Sequence, residues 1–392
     1  MYETLKRKFT DCFGSKAEFF FSAPGRTELG GNHTDHQHGC VLAAAVNLDT
    51  RAAAAGNGER VIRVQSEGYP LVTVALDALA PMEAERGTTA ALVRGVAARV
   101  MALGGVPCGF DAYVQSDVLP GSGLSSSAAF EVLLAAICSR LFLDGALSPV
   151  QLAQVGQYAE NVYFGKPCGL MDQTASAVGG IIAIDFADPE RPVVTQVPFD
   201  FAACGHALCI VDSGADHAGL TSEYAAITEE LRAVCALFGK RVLREVSEAD
   251  FFARLPQVRA AAGDRAVLRA VHVFEENRRV ARQVQALREN RFADFLREVR
   301  ASGESSWRCL QNVVPLGAAV HQELAVALAL AEHLLEGRGA CRVHGGGFAG
   351  TIQAFVPLER LPHFRAGMEA ALGEGSCHVL SVRPEGCTEV RA

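Results

Sequence analysis

A mixed α+β fold in two parts is what this sequence predicts, on three observations. The chain has 392 residues, and at roughly 150 residues per domain that length gives two or three, of which two is taken. Hydrophobic residues make up 49 % and charged residues 20 %, which supplies large cores and leaves too little charge for disorder. Strand-like and helix-like segments follow one another without the strict alternation of a doubly wound parallel sheet.

Taken in order, EFFFSAP reads as a strand stopped by Pro24. CVLAAAV and RAAAAG are each a buried strand or a short helix, since a short apolar run has no diagnostic period. VIRVQS and LVTVAL are strands around a Gly68-Tyr69-Pro70 turn. TTAALVRGVAARVMAL has helical spacing and stops at Gly104-Gly105. FDAYVQSDV alternates as a strand, and LSSSAAFEVLLAAICSRLFL is a helix. Ser148-Pro149 is a cap and first turn for a helix through about Tyr163. The second half restarts with the strand ALCIVDS and a Ser- or Thr-capped helix TSEYAAITEELRAVCALF. Helices are expected over residues 266–287 and 291–303, and over LGAAVHQELAVALALAEHLL up to Gly337. CRVHGGGFAGTIQAFV is strand, glycine turn and strand, RAGMEAAL a short helix and CHVLSVRP a last strand. The shift around DPERPVV divides the chain into domains at 1–205 and 206–392.

The formal net charge of −8 argues against nucleic acid or an anionic membrane as the main partner, and leaves room for a local phosphate pocket. MYETLKRKFTDCF mixes charge with apolar residues, unlike a secretory signal, and no segment approaches the roughly 20 apolar residues of a membrane span. The 12 cysteines contain no C-x-x-C pair and sit mostly in apolar runs. They read as small buried hydrophobes in a reducing cytoplasm, against the alternatives of a zinc site or a nucleophile.

Four segments carry chemistry. In LPGSGLSSSAAFEV, residues 119–132, Gly121 and Gly123 allow close backbone approach and three serines follow where a helix begins. Free amides and the positive end of a helix suit an anion there; the alternative is a Gly-Ser turn with a capped helix. APGRTELGGNHTDHQHG, residues 23–39, packs Arg26, Glu28, Asn32, His33, Asp35, His36 and His38 among four glycines. That density of hydrogen-bonding groups suits a polyhydroxylated ligand; zinc and a solvated loop are the alternatives. YAENVYFGKPCGLMDQTASAVGG, residues 158–180, holds Glu160 late in a helical run and Asp172 at the head of another. Either is a helix cap, or, beside a magnesium-bound phosphate donor, one holds metal and the other takes a proton. CRVHGGGFAGTIQAF, residues 341–355, is a hairpin or a backbone turn closing over ligand.

These segments, in this order, resemble galactokinases of the GHMP kinase superfamily: GRTELGGNHTDH, PGSGLSSSAA, CGLMDQ, DSGADHAGLTSEY and GGGFAG. The resemblance runs from about Ala23 to the C-terminus. It implies a two-domain fold, with an N-terminal half like the second domain of ribosomal protein S5 and a ferredoxin-like C-terminal half. It also implies an ATP-dependent sugar kinase acting on the anomeric hydroxyl. Asp172 then matches the family's base, and Arg26 the arginine that stabilises transition-state charge. Ser127 and Glu160 match the Mg²⁺ ligands. Gly121, Ser122, Gly123, Leu124, Ser125, Ser126 and Ser127 match the phosphate loop. Asn32, His33, Thr34, Asp35, Gly169 and Tyr224 match the sugar site. Ser66 and residues 88–95 are candidates for the adenine pocket. Partners are a small sugar and ATP, with no nucleic acid or membrane, and the protein is expected to act as a cytoplasmic monomer. The whole reading requires Asp172 to lie beside the serine-rich turn.

The sequence departs from the family pattern GRVNLIGEHTDY in its sugar-facing positions. Glu28 stands for asparagine, Asn32 for glutamate and His36 for tyrosine; AAIT follows Tyr224, His344 stands for threonine or serine, and Ala349 for glycine. Replacing a carboxylate by Asn32 removes repulsion toward a C6 carboxylate. Galactose is the expected substrate, and galacturonate or another C6-altered sugar the alternative. A non-catalytic sugar sensor is disfavoured by the intact Arg26, Asp172 and GLSSSA run, and a non-sugar alcohol such as mevalonate or homoserine by the HTDH cluster and CGLMDQ.

Overall fold

The computed structural model describes residues 2–118, 123–215 and 219–391. Gly121 and Ser122 of the expected phosphate loop lie outside them.

The first sheet has eight strands: β1 (Phe19–Gly30), β2 (Cys40–Gly56), β3 (Val61–Ser66), β4 (Val72–Ala75), β5 (Phe110–Ser116), β6 (Ile181–Asp185), β7 (Val193–Gln196) and β12 (Thr388–Glu389). Its order is β12-β1-β2-β5-β3-β4, with β6 and β7 added beside the first part of β2. Among the described residues only β3 and β5 pair in parallel in this sheet. The second sheet is antiparallel, in the order β11-β8-β10-β9, from β8 (His206–Asp212), β9 (Ala340–Val343), β10 (Thr351–Pro357) and β11 (Cys377–Leu380).

The helices are α1 (Tyr2–Phe13), α2 (Thr89–Ala102), α3 (Ser126–Leu143), α4 (Pro149–Tyr158), α5 (Met171–Val178), α6 (Thr221–Ala236), α7 (Glu248–Ala253), α8 (Leu255–Ala262), α9 (Asp264–Arg288), α10 (Phe292–Ser305), α11 (Glu323–Leu335) and α12 (Leu361–Leu372). One core lies between the first sheet and α2 to α5, around Phe110, Val132, Ile137 and Ala153. Another joins the two sheets through Leu42, Ile210, Phe295 and Phe355. Two more pack α11 and α12 on the outer face of the second sheet and gather α6 to α9.

Several sequence expectations are corrected. The first strand does not stop at Pro24 but continues to Gly30, with a register shift between Pro24 and Arg26 that removes the proline from the regular ladder. CVLAAAV and RAAAAG are one strand, β2, which changes partner from β6 to β5 along its length. Helix α6 starts after Leu220 with no side-chain cap. Helix α11 starts at Glu323 rather than Leu316, because Gly317 takes a φ of 77° in a turn. CHVLSVRP is not the last strand, since β12 follows. Helix α3 has the length and apolarity of a membrane span at 18 residues. It instead packs in the first core, where Val132, Leu133 and Ile137 are fully covered.

Candidate functional site

A strand of the first sheet, a helix and a loop meet at the site. Strand β1 carries Arg26 inward, α5 presents Asp172 in its first turn, and the loop before α3 supplies Gly123 to Ser125. Arg26 grips Asp172 with a fork: Nε donates to Oδ1 at 2.7 Å and Nη2 to Oδ2 at 2.6 Å. Ser125 Oγ donates to Oδ2 at 2.6 Å. Arg26 also donates from Nη1 to the Gly123 carbonyl and from its backbone amide to the Leu124 carbonyl. The acid therefore lies against the serine-rich turn.

Asp172 bonds a guanidinium and a hydroxyl, not the amides of its own helix, so it is no cap. Ser125 likewise precedes α3 without capping it; its backbone is left-handed, at φ 59° and ψ 63°. Burial alone would raise the Asp172 carboxyl, but the charge and bonds of Arg26, with Ser125's, outweigh it and hold the carboxyl below its usual range. Asp172 is ionised at neutral pH, and its side chain keeps 28 % of its surface open.

Beside the pair lies a second carboxylate cluster. Helix α4 runs into a π-helical segment, Ala159–Phe164, which buries Glu160. Gln173 Nε2 donates to Glu160 Oε2 at 3.1 Å and to Glu131 Oε2 at 3.0 Å. Lys166 Nζ lies 3.5 Å from Glu160 Oε1. Burial and the neighbouring Glu160 push the Glu131 carboxyl far up, toward its protonated form. Glu131 and Gln173 were not singled out from the sequence. A lone acid in the apolar run FEVLLAAI, four residues past Ser127, was the available signal for Glu131.

The residues expected at the sugar site divide into two groups. Asn32 is fully buried: Nδ2 donates to Gly345 O at 2.6 Å and to Glu28 Oε1 at 3.2 Å, and Oδ1 accepts from Asn312. Thr34 is fully buried too, its hydroxyl turned to the Gly31 and Cys40 carbonyls. His33, Asp35, Gly169 and Tyr224 keep partial exposure. His33 Nε2 donates to Gly346 O at 3.0 Å, and burial lowers the imidazole to about 4. Tyr224 donates to Gly347 O at 2.8 Å. A Cβ at residue 169 would fall 1.8 Å from Asp35 Oδ2, so a larger residue there would push the Asp35 carboxylate aside. Ser126 and Ser127, at the head of α3, remain partly exposed.

Behind this face sits a buried network that sequence reading did not foresee. Arg342 Nη2 donates to Glu28 Oε1 at 2.8 Å and to Glu28 O at 2.7 Å. His344 Nε2 accepts from the Glu28 amide and the Thr27 hydroxyl, which leaves Nδ1–H to donate to Thr351 Oγ1 at 2.9 Å. Glu276 Oε1 accepts from the Gly31 amide and Ser302 Oγ. A Cβ at Gly123, whose φ is 72°, would fall 2.5 Å from Thr351 Oγ1. The loop thus seats directly on this network.

Solved structures that share this fold include kinases. The mevalonate kinase of Methanococcus jannaschii superposes with a TM-score of 0.65 at 13 % identity, covering 95 % of this chain and all of that one. The Lactococcus lactis galactokinase complexed with galactose superposes with a TM-score of 0.85 at 24 % identity, covering 99 % of this chain and 100 % of that one. Residues 91–180 match the N-terminal domain of GHMP kinases. The fold is the GHMP kinase fold, and the chain is a kinase of that class. Residues 7–56 match the galactokinase galactose-binding signature. The galactokinase of Streptomyces coelicolor is 35 % identical over 360 residues, spanning 90 % of this chain and 88 % of that protein. That of Actinobacillus pleuropneumoniae is 31 % identical over 364 residues, spanning 92 % and 90 %. The chain belongs to the galactokinase family.

Proposed function

We propose that the protein is an ATP-dependent galactose 1-kinase in which Asp172 is the base and Arg26 stabilises transition-state charge. The observation that supports these roles most is the Arg26–Asp172 fork set against the head of α3. Phosphoryl transfer asks the protein for position and charge neutralisation more than for covalent chemistry. The ionised Asp172 takes the anomeric hydroxyl's proton, and the Arg26 guanidinium faces the charge that develops as the oxygen meets the γ-phosphorus. Gly123, Leu124 and the three serines, with Gly121 and Ser122, form the phosphate loop. Asp35, His33, Gly169 and Tyr224 line the sugar, while Asn32 and Thr34 shape the loop from behind.

Mg²⁺ suits the donors here, a hydroxyl at Ser127 and a buried carboxylate at Glu160, both hard oxygen ligands. Among the described residues no group of three His, Cys, Asp or Glu side chains gathers as a metal cage. That fits an ion held by one carboxylate, one hydroxyl, phosphates and water. When bound, it neutralises phosphate charge. With the Asn32 amide spent inside the protein, the C6-altered-sugar alternative is not favoured.

The boundary at 205/206 falls between β7 and β8, where the chain leaves the first sheet for the second. We assign the two segments as domains, and the protein to the reducing cytoplasm as a monomer, in keeping with 12 free cysteines. The test is ADP release with ATP, Mg²⁺ and a panel of galactose, galacturonate, N-acetylgalactosamine and L-arabinose. Galactose should give the highest kcat/KM. Asp172→Asn should lower kcat by about 10²–10⁴-fold with intact folding. An unchanged kcat would remove Asp172 from the mechanism.

A further inference from the structure

We propose that Ser125 is a positioning residue for the base: its hydroxyl fills Asp172 Oδ2, so that Oδ1 receives the sugar's proton and the nucleotide loop itself sets the base. This rests on the reading of Asp172 as the base.

A carboxylate has about four lone-pair sites, two on each oxygen. Oδ2 accepts from Arg26 Nη2 at 2.6 Å and from Ser125 Oγ at 2.6 Å, so both of its sites are taken. Oδ1 accepts only from Arg26 Nε at 2.7 Å among the described residues, which leaves one site open. In the step, the O–H bond of the anomeric hydroxyl breaks and an O–H bond forms at Oδ1. The anomeric oxygen, freed of its proton, bonds to the γ-phosphorus as the β,γ-bridging P–O bond breaks and ADP leaves. Asp172 then returns its proton to solvent.

The backbone adds a second, independent observation. Ser125 stands at φ 59°, a region that non-glycine residues seldom enter and that persists where surrounding contacts impose it. The residue opens a helix, yet its hydroxyl makes no cap. It points instead across to a residue 47 positions later. With Arg26 bonded to the Gly123 and Leu124 carbonyls, three consecutive loop residues are tied to the Arg26–Asp172 pair. A loop displaced from its nucleotide-holding position releases Oδ2, and the carboxylate can then turn.

The test compares Ser125→Gly, Ser125→Ala, Asp172→Asn and the Ser125→Ala/Asp172→Asn double variant of the full chain. Glycine keeps the left-handed backbone and loses the hydroxyl; alanine loses the hydroxyl with the strain retained. Both single Ser125 variants should lose about 10–100-fold in kcat. KM for galactose and for ATP should stay within about threefold, and Tm near the wild type. In the Asp172→Asn background, Ser125→Ala should cost less than about twofold more, because the hydroxyl acts through the carboxylate. A Ser125→Gly variant with wild-type kcat overturns the inference and leaves Asp172 as base untouched. A defect confined to KM for ATP, or one of equal size in both backgrounds, assigns the hydroxyl to the phosphates and overturns it as well. Wild-type kcat in Asp172→Asn overturns the base reading itself.

Discussion

Arg26 and Glu28 stand two residues apart on β1, each paired with an opposite charge, yet the two pairs live in different surroundings. Arg26 holds an Asp172 whose side chain keeps 28 % of its surface open, while Glu28 holds an Arg342 whose side chain has none. In the first pair the arginine overcomes burial and keeps the acid low. In the second, burial dominates and raises the Glu28 carboxyl in spite of Arg342. The same pairing of charges leaves one carboxylate partly open at Asp172, and ties the two sheets together at Glu28 where no surface remains.

The comparison is broken most strongly at its closed end. Arg342→Ala leaves Glu28 buried without its cation and should cost about 3–5 kcal/mol in chemical denaturation. A loss under about 1 kcal/mol would show that the pair anchors nothing. At the open end, Arg26→Lys keeps a charge but loses the fork, and kcat should fall about 10–100-fold. The acidic limb of kcat/KM should move to higher pH, because the ionised form of Asp172 is less favoured, while the denaturation midpoint stays nearly fixed. A limb that stays in place would separate Arg26 from the acidity of the base.

The smallest effect sharpens the contrast through pH. His33, His272 and His344 are all lowered, by burial first. Below the ordinary histidine value the unfolded chain binds protons that the folded one refuses, so stability is full above about 6.5 and falls as pH drops toward 4. His33 alone, lowered to about 4, corresponds to about 2 kcal/mol by pH 5. Glu276, which burial raises and the Arg279 and Arg342 charges and the Ser302 hydroxyl lower, adds a loss only below about 4.5. Thermal melts from pH 7.5 to 4.5 check the window, and a flat Tm across it would refute the assignment of buried neutral histidines.

Motif order was legible in the residues of this sequence, and convergence only through the family resemblance. Glycine and serine chemistry marked the loop, and the acid of CGLMDQ stood out, but Arg26 and Asp172 are 146 positions apart and only the fold joins them. Pro24 misled because a proline ends a regular ladder, whereas here a bulge accommodates it. The run of alanines in β2 carried no period because that strand is covered on both faces over most of its length. Asn32 looked like a sugar contact because its type suits one; its burial among Glu28, Gly345 and Asn312 depends on segments some 280 to 313 positions distant. Glu131 was hidden by its own setting, since an apolar helix face announces a core.

The pairing of β12 with β1 joins residues 388–389 to residues 21–22. Arg383 reinforces the closure by bonding Ser22, and Gly386 lies against the Ala177 carbonyl in the last turn of the helix that bears Asp172. During synthesis the strand that carries Arg26 is made long before the strand that covers its edge, and until β12 follows that edge is bare. A chain cut before residue 388 would therefore keep Arg26 and Asp172 and leave β1 unhemmed, the kind of edge on which another such chain can settle.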